Sequence, residues 1–219
     1  AGGTAGKCKP RWGCVEFSRM SREAVTIEFT HRQSAHCESG VTSNLLTHYA
    51  QPISEAMAFG IGSGLFFGYF PFIKINHLPL ITFRGAPGSI FKKCASRLGV
   101  EVSSQQFRDP RRAMEALDAT LDRGVPTGLQ TGVYWLPYFP AALRFHFNAH
   151  NLVVFGREGD EYLISDPVID HPVRCARADL ERARFAKGAL APKGRMYQLG
   201  TVPPQLPLAA GVRSGIKET

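Results

Sequence analysis

The segment HFNAHNLVVFGREGDEYLISDP, residues 146–167, constrains the fold more than any other part of the chain. Two runs rich in β-branched and aromatic residues, Phe145 to Phe155 and Glu161 to Ser165, flank the turn-forming GREGD and predict an antiparallel hairpin. A hairpin brings His150, on the first strand, beside Asp166, at the end of the second. Taken singly, His150 is an ordinary half-buried strand residue and Asp166-Pro167 an ordinary turn opener.

The elements around this hairpin read as a mixture of helix and strand. Ala24 to Phe29 alternates as a strand does, and the polar loop HRQSAH leads to a helix on which Val41, Leu45, Leu46 and Tyr49 keep helical spacing. Ser54 is placed to cap a short helix starting at Glu55, and FGIGSGLFFGY after it reads as a glycine-rich turn flanked by aromatics. Pro79 to Arg84 predicts a strand, Gly88 to Leu98 a helix and Val100 to Ser103 a short strand. Pro110 opens a helix through Leu121, with Ala113, Ala116, Leu117 and Leu121 on its apolar stripe and Gly124 ending it. A strand then starts in VPTGLQTG, Asp179 to Phe185 forms a basic helix, and Arg195 to Leu199 a last strand. The expected fold class is α+β, with helices early and an antiparallel sheet after them. Residues 1–23 read as a loose lead-in, 24–201 as one domain, and 202–219, with three prolines, as a tail.

At 44% hydrophobic and 20% charged residues the chain has the balance of a folded domain. A net charge of +8 and a pI near 9.5 suit an acidic partner: nucleic acid, an anionic membrane or an acidic carrier protein. The basic residues are dispersed and lack the stacking aromatics of a nucleic-acid reader, so no nucleic acid is expected. The most apolar stretch, Ala56 to Ile75, is broken by Gly60, Gly62, Gly64, Gly68, Pro71 and Lys74, so no spanning helix and no membrane partner is expected. Five scattered cysteines without paired spacing point to a reducing, cytoplasmic setting, with a Cys8–Cys14 disulfide left open.

Cys37 sits where the loop HRQSAH meets its helix, and there a thiol has chemical potential. Thiols ionise weakly at neutral pH unless positive charge or a helix N-terminus lowers their pKa, and the first helical N–H groups also supply donors for an oxyanion. Gln33, His31 and His36 are the candidates to line that site or complete the oxyanion hole. His31, His36, Cys37 and His48 have no familiar metal-ligand spacing, so no metal is expected. The GIGSG run lacks a strand before it and a P-loop lysine, which excludes a nucleotide site, and no cofactor is implied. It reads either as a tight turn packed by aromatics or, with Glu55, Gly62 and Arg84, as the lining of a substrate channel.

A cysteine at a loop-to-helix junction, a strand histidine much later and an aspartate on the next strand follow in the chain order of papain-like enzymes. In such a site the imidazole accepts the thiol proton while a carboxylate holds its other nitrogen. HRQSAHCESGVTSNLL, then SEAMAFGIGSGLFFGYF, the arginine closing ITFR, and later the histidine strand and its DP resemble the N-terminal domain of butirosin biosynthesis protein H and its relatives, from about Ala24 to Leu199. More distantly the chain resembles the cysteine peptidase domains that process bacteriocin leaders, in which a glutamine upstream of the cysteine completes the oxyanion hole. The first resemblance implies a papain-like fold and an acyltransferase that carries an acyl or aminoacyl group from an acyl carrier protein thioester to an amine. Cys37, His150 and Asp166 then fall on its catalytic positions, and the basic charge faces an acidic carrier protein or pantetheine thioester. A peptidase or amidohydrolase using water, and a non-catalytic module binding an acyl group or carrier protein, are the alternatives. Family members often carry a further C-terminal domain.

Overall fold

The computed structural model describes residues 23–75 and 77–219. The Cys8–Cys14 pairing and all but the last residue of the lead-in lie outside the described residues. In chain order the strands are β1 (Val25–Thr26), β2 (Gly68–Ile75), β3 (Leu78–Thr82), β4 (Val102–Gln105), β5 (Thr127–Thr131), β6 (His150–Glu158), β7 (Glu161–Ser165), β8 (Val173–Ala176) and β9 (Met196–Leu199). The helices are α1 (Cys37–His48), α2 (Glu55–Ile61), α3 (Ser89–Arg97), α4 (Pro110–Asp122), α5 (Arg177–Arg184) and α6 (Leu208–Glu218).

The hairpin that anchors the sequence reading is β6 and β7, turning through Gly159 at φ 58°. Its ladder slips between Val154 and Gly156, and there β1 crosses so closely that a Cβ on Gly156 would lie 2.5 Å from the Val25 carbonyl oxygen. Only glycine admits that approach. The sheet runs β4–β9–β5–β6–β7–β8, antiparallel throughout, with β1 pairing with β6 beyond the end of β5.

Both faces of this sheet are covered, which explains why the centre of β6 is apolar without alternation. Leu152 and Val154 pack with Leu129, Ile164, Leu117 and Leu180 beneath α4 and α5. Val153 points the other way, to Val41, Leu45, Phe91 and Tyr197 beneath α1 and α3. Residues 37–46 of α1 are all buried, and their side-chain donors find carbonyls: Ser43 donates to that of Ile53, Thr42 to that of Glu38 and the Asn44 Nδ2 to that of Arg32, while the Asn44 Oδ1 is buried without a partner among the described residues.

Three expectations change. The glycine-rich turn after α2 is brief, and β2 follows as a strand that pairs with β3 into a separate two-stranded ribbon. A strand, β8, adds an edge beyond β7 that no alternation announced. Within 202–219, expected as a tail, α6 packs on α2: a Cβ on Gly215 would lie 2.3 Å from the Gly60 carbonyl oxygen, and Gly211 faces Leu98 and Ile61. Prolines at 203, 204 and 207 and a stripe made of glycines hid that helix from a search for large apolar side chains.

Candidate active site

Cys37 is the first residue of α1, and His36 is its N-cap with extended backbone angles. The first α-helical bond runs from Gly40 N–H to the His36 carbonyl, so the Cys37 N–H has no partner within the helix. The first turn can press against the loop after β7 because residue 40 is glycine. A Cβ there would lie 2.6 Å from Pro167 Cβ and 2.7 Å from Ser34 Cβ. Pro167 also accepts a bond from Ser34 N–H at 2.6 Å, so the chain just before Cys37 is tied to the chain just after Asp166.

His150 and Asp166 meet diagonally rather than face to face. Ser165 is paired with Val153, and the His150 Nε2 donates to Asp166 Oδ2 at 2.7 Å. This leaves Nδ1 as the ring nitrogen for the thiol. The same carboxylate oxygen accepts the Tyr138 hydroxyl at 2.8 Å, and Oδ1 accepts Val168 N–H at 3.2 Å. Asp166 has no exposed surface, and these three donors replace the water it has lost.

Burial alone would disfavour the Cys37 thiolate, but the hydrogen bond and charge of His150 and the Asn151 amides outweigh it and bring the thiol below its ordinary pKa. His150 moves the opposite way. Desolvation works against its cation, yet the charge and hydrogen bond of Asp166, then those of Cys37, raise it. The pair therefore favours thiolate and imidazolium. Cys94 and Cys175, buried without such partners, are pushed up to about 12 by desolvation.

Asn151 was not singled out from the sequence, yet its Nδ2 lies 4.0 Å from the Cys37 sulfur. Its orientation is settled by its other contacts: Nδ2 donates to the Ala149 carbonyl at 3.1 Å, and Oδ1 accepts the Tyr197 hydroxyl at 2.9 Å. Flipping the amide would set two oxygens against each other. Asn151 thus presents N–H to the thiolate, held there by a buried phenol from β9. Tyr138 and Tyr197 were missed too, since nothing in YFP or MYQL marks a tyrosine that acts through a hydroxyl on a distant strand.

The candidate oxyanion and lining residues are used differently from expectation. His31 places Nδ1 2.8 Å from Ser165 Oγ and Nε2 3.1 Å from the Ile169 carbonyl, so both nitrogens brace the β7 end instead of facing a substrate. Gln33 is exposed. His36 Nδ1 lies 2.9 Å from Ser39 Oγ, and its pKa is lowered to about 4, by burial first and then by the charges of Arg84 and His150. It is a neutral cap. Glu55 accepts the Ser39 hydroxyl at 2.9 Å and so belongs to the same cap cluster. Gly62 ends α2 and packs on Ile90, where a Cβ would lie 2.6 Å from Cγ2. Arg84 is exposed at the base of the β2–β3 ribbon, in electrostatic reach of His36. Beside the thiol, Glu38 caps α3 by accepting Gly88 and Phe91 N–H, both at 2.9 Å.

The arrangement is that of a papain-like nucleophile: thiol at a helix N-terminus, imidazole across from it, carboxylate behind. A putative C39-like peptidase from Bacillus anthracis superposes with a TM-score of 0.58 at 16% identity, covering 83% of this chain and 100% of that one. The peptidase domain of Streptococcus ComA, a bifunctional ABC transporter of quorum sensing, superposes with a TM-score of 0.51 at 14% identity, covering 79% of this chain and 98% of that one. These likenesses establish the α+β, papain-like fold. No curated protein sequence matches the chain. The family described as butirosin biosynthesis protein H, N-terminal, matches residues 36–167, which run from the cap of Cys37 to the proline after Asp166. The chain belongs to that family.

Proposed function

We propose that this is a cysteine-dependent acyltransferase that moves an acyl or aminoacyl group from a thioester to an amine in specialised metabolite biosynthesis. The observation that carries the reading is the alignment of a thiol with lowered pKa, His150 and a carboxylate bound to the far ring nitrogen. Cys37 thiolate attacks the thioester carbonyl, the C–S bond to the donor breaks, and the departing thiolate takes the His150 proton. The acyl group is then on Cys37. An amine attacks this second thioester, gives its proton to His150 and expels Cys37 as thiolate, leaving an amide.

The oxyanion site supports a thioester substrate. The Cys37 N–H is a donor there, whereas His31, engaged with Ser165 and Ile169, is not. A thioester carbonyl is more electrophilic than an amide, and its thiolate leaves without prior protonation, so it asks less of such a site. The net charge of +8 supports an acidic carrier protein as donor, with exposed Arg84 for the phosphate of a pantetheine arm. Amide hydrolysis is the second reading, favoured by the peptidase fold. Incubation with acyl-pantetheine and candidate amines separates the two: amide accumulates for a transferase, and free acid at an amine-independent rate contradicts the proposal.

A further inference from the structure

The ribbon β2–β3 stands apart from the main sheet and has no counterpart in the chemistry at Cys37. Nine large apolar side chains between residues 65 and 83 are at least 42% exposed, among them Phe67 at 66%, Phe72 at 78%, Leu78 at 69% and Phe83 at 67%. At about 200 Å² per side chain these fractions come to roughly 1,000 Å² of exposed apolar surface in total. A bare two-stranded ribbon is marginal in water, so something covers it.

Charge and shape say what. No Asp or Glu occurs from residue 56 to 100, while Lys74, Arg84 and Lys92 are exposed there. A second copy seated on this face would set these cations against their own counterparts. At the far end of the ribbon, residues 71–74 are all exposed in succession, with His77 and Leu78 across the turn. Phe72 and Ile73, adjacent in the chain and both exposed, therefore offer apolar surface on more than one side of the ribbon there. A medium that surrounds it is apolar on all sides and negatively charged at its boundary.

We infer that β2–β3 seats the protein on an anionic lipid surface, with Phe72, Ile73 and Leu78 entering the boundary between headgroups and acyl chains and Lys74 meeting lipid phosphates. Insertion is shallow, because the outer edges of a two-stranded ribbon carry backbone groups that hydrocarbon leaves unsatisfied. Pro71 and Pro79 carry no N–H, which leaves the ribbon two fewer donors to satisfy. No helix among the described residues is long and apolar enough to cross a membrane, and this mode of attachment needs none. It revises the expectation of no membrane partner, which rested on the absence of a span.

The full chain is sedimented with phosphatidylcholine vesicles, with and without one part in four of phosphatidylglycerol. Wild type is expected to pellet with the anionic vesicles and to be released by high salt. The double variant F72S/I73S, altered only at exposed sites, is expected to lose at least about tenfold in partitioning, in line with the apolar surface removed, while keeping the wild-type melting temperature. Lys74→Glu is expected to weaken binding to anionic vesicles without lowering that to neutral ones. Wild type remaining in the supernatant overturns the inference, as does undiminished pelleting of both variants. A lipid-free dimer dissolved by F72S/I73S overturns it in favour of a second copy.

Discussion

His150 donates its Nε2–H to Asp166 Oδ2 at 2.7 Å, and this single bond decides which ring nitrogen faces Cys37. Asp166→Asn keeps the shape and removes the charge that raises the imidazole's pKa. The His150 pKa then falls and that of the Cys37 thiol rises. One pKa unit is a tenfold change in thiolate fraction at pH 7, so alkylation of Cys37 by iodoacetamide is expected to slow by about tenfold or more.

Tyr138 shares the same carboxylate oxygen. Its phenol is held protonated, with a pKa well above the ordinary value, by burial first and then by the Asp166 charge. Tyr138→Phe removes a buried bond to a charged group, worth about 1.5–3 kcal/mol, without touching the thiol. Urea unfolding measures the stability loss, and a weaker His150–Asp166 pairing lowers the Cys37 alkylation rate alongside it.

Asn151→Ala removes the carboxamide nearest the sulfur, and Tyr197→Phe releases the hydroxyl that orients it. Both raise the thiol pKa, N151A more than Y197F. The ultraviolet absorbance of the thiolate, followed against pH, reads the shift, and an effect of Y197F that vanishes in the N151A background shows that the tyrosine acts through the asparagine.

Gly40→Ala places a methyl group 2.6 Å from Pro167 Cβ and 2.7 Å from Ser34 Cβ. The neighbours are a ring and a tethered loop, so α1 must move. The expected cost is about 1–3 kcal/mol of stability by urea unfolding, together with loss of rapid Cys37 alkylation as the thiol leaves His150.

The neutral cap at His36 sets a pH dependence. Its folded pKa, about 4, lies below the unfolded value of 6.5, so the unfolded chain binds more protons between them. Stability from this group is full above pH 6.5 and is lost as pH falls towards 4. Because the ring is partly exposed, screening limits the effect to about 1–2 kcal/mol. His36→Asn caps the helix without titrating, and its unfolding free energy is expected to fall less over that range.

What could be read from the sequence follows from how local each signal is. The β6–β7 hairpin, α4 and the helix beginning at Cys37 announce themselves through turn residues, a proline at the first helical position and regular spacing, all within a few residues of one another. Cys37, His150 and Asp166 were legible because the reactive types are few and the hairpin constrains two of them. Tyr138, Asn151 and Tyr197 were not, because their roles arise from contacts between segments far apart in the chain. His31 misled for the same reason: position in a polar loop near Cys37 does not reveal that Ser165 and Ile169 engage its ring. Strand β3 was legible as Pro79 to Arg84, but its partner β2 was not, since Gly68 and Pro71 mask a strand whose apolar residues do not alternate.

The central claim is that His150 activates Cys37, and the pH dependence of iodoacetamide labelling, located by peptide mass, tests it most directly. Cys37 is expected to react near neutral pH, well ahead of Cys94 and Cys175, and to lose that advantage in His150→Ala. Labelling of Cys37 no faster than that of Cys94, or unchanged in His150→Ala, contradicts the account.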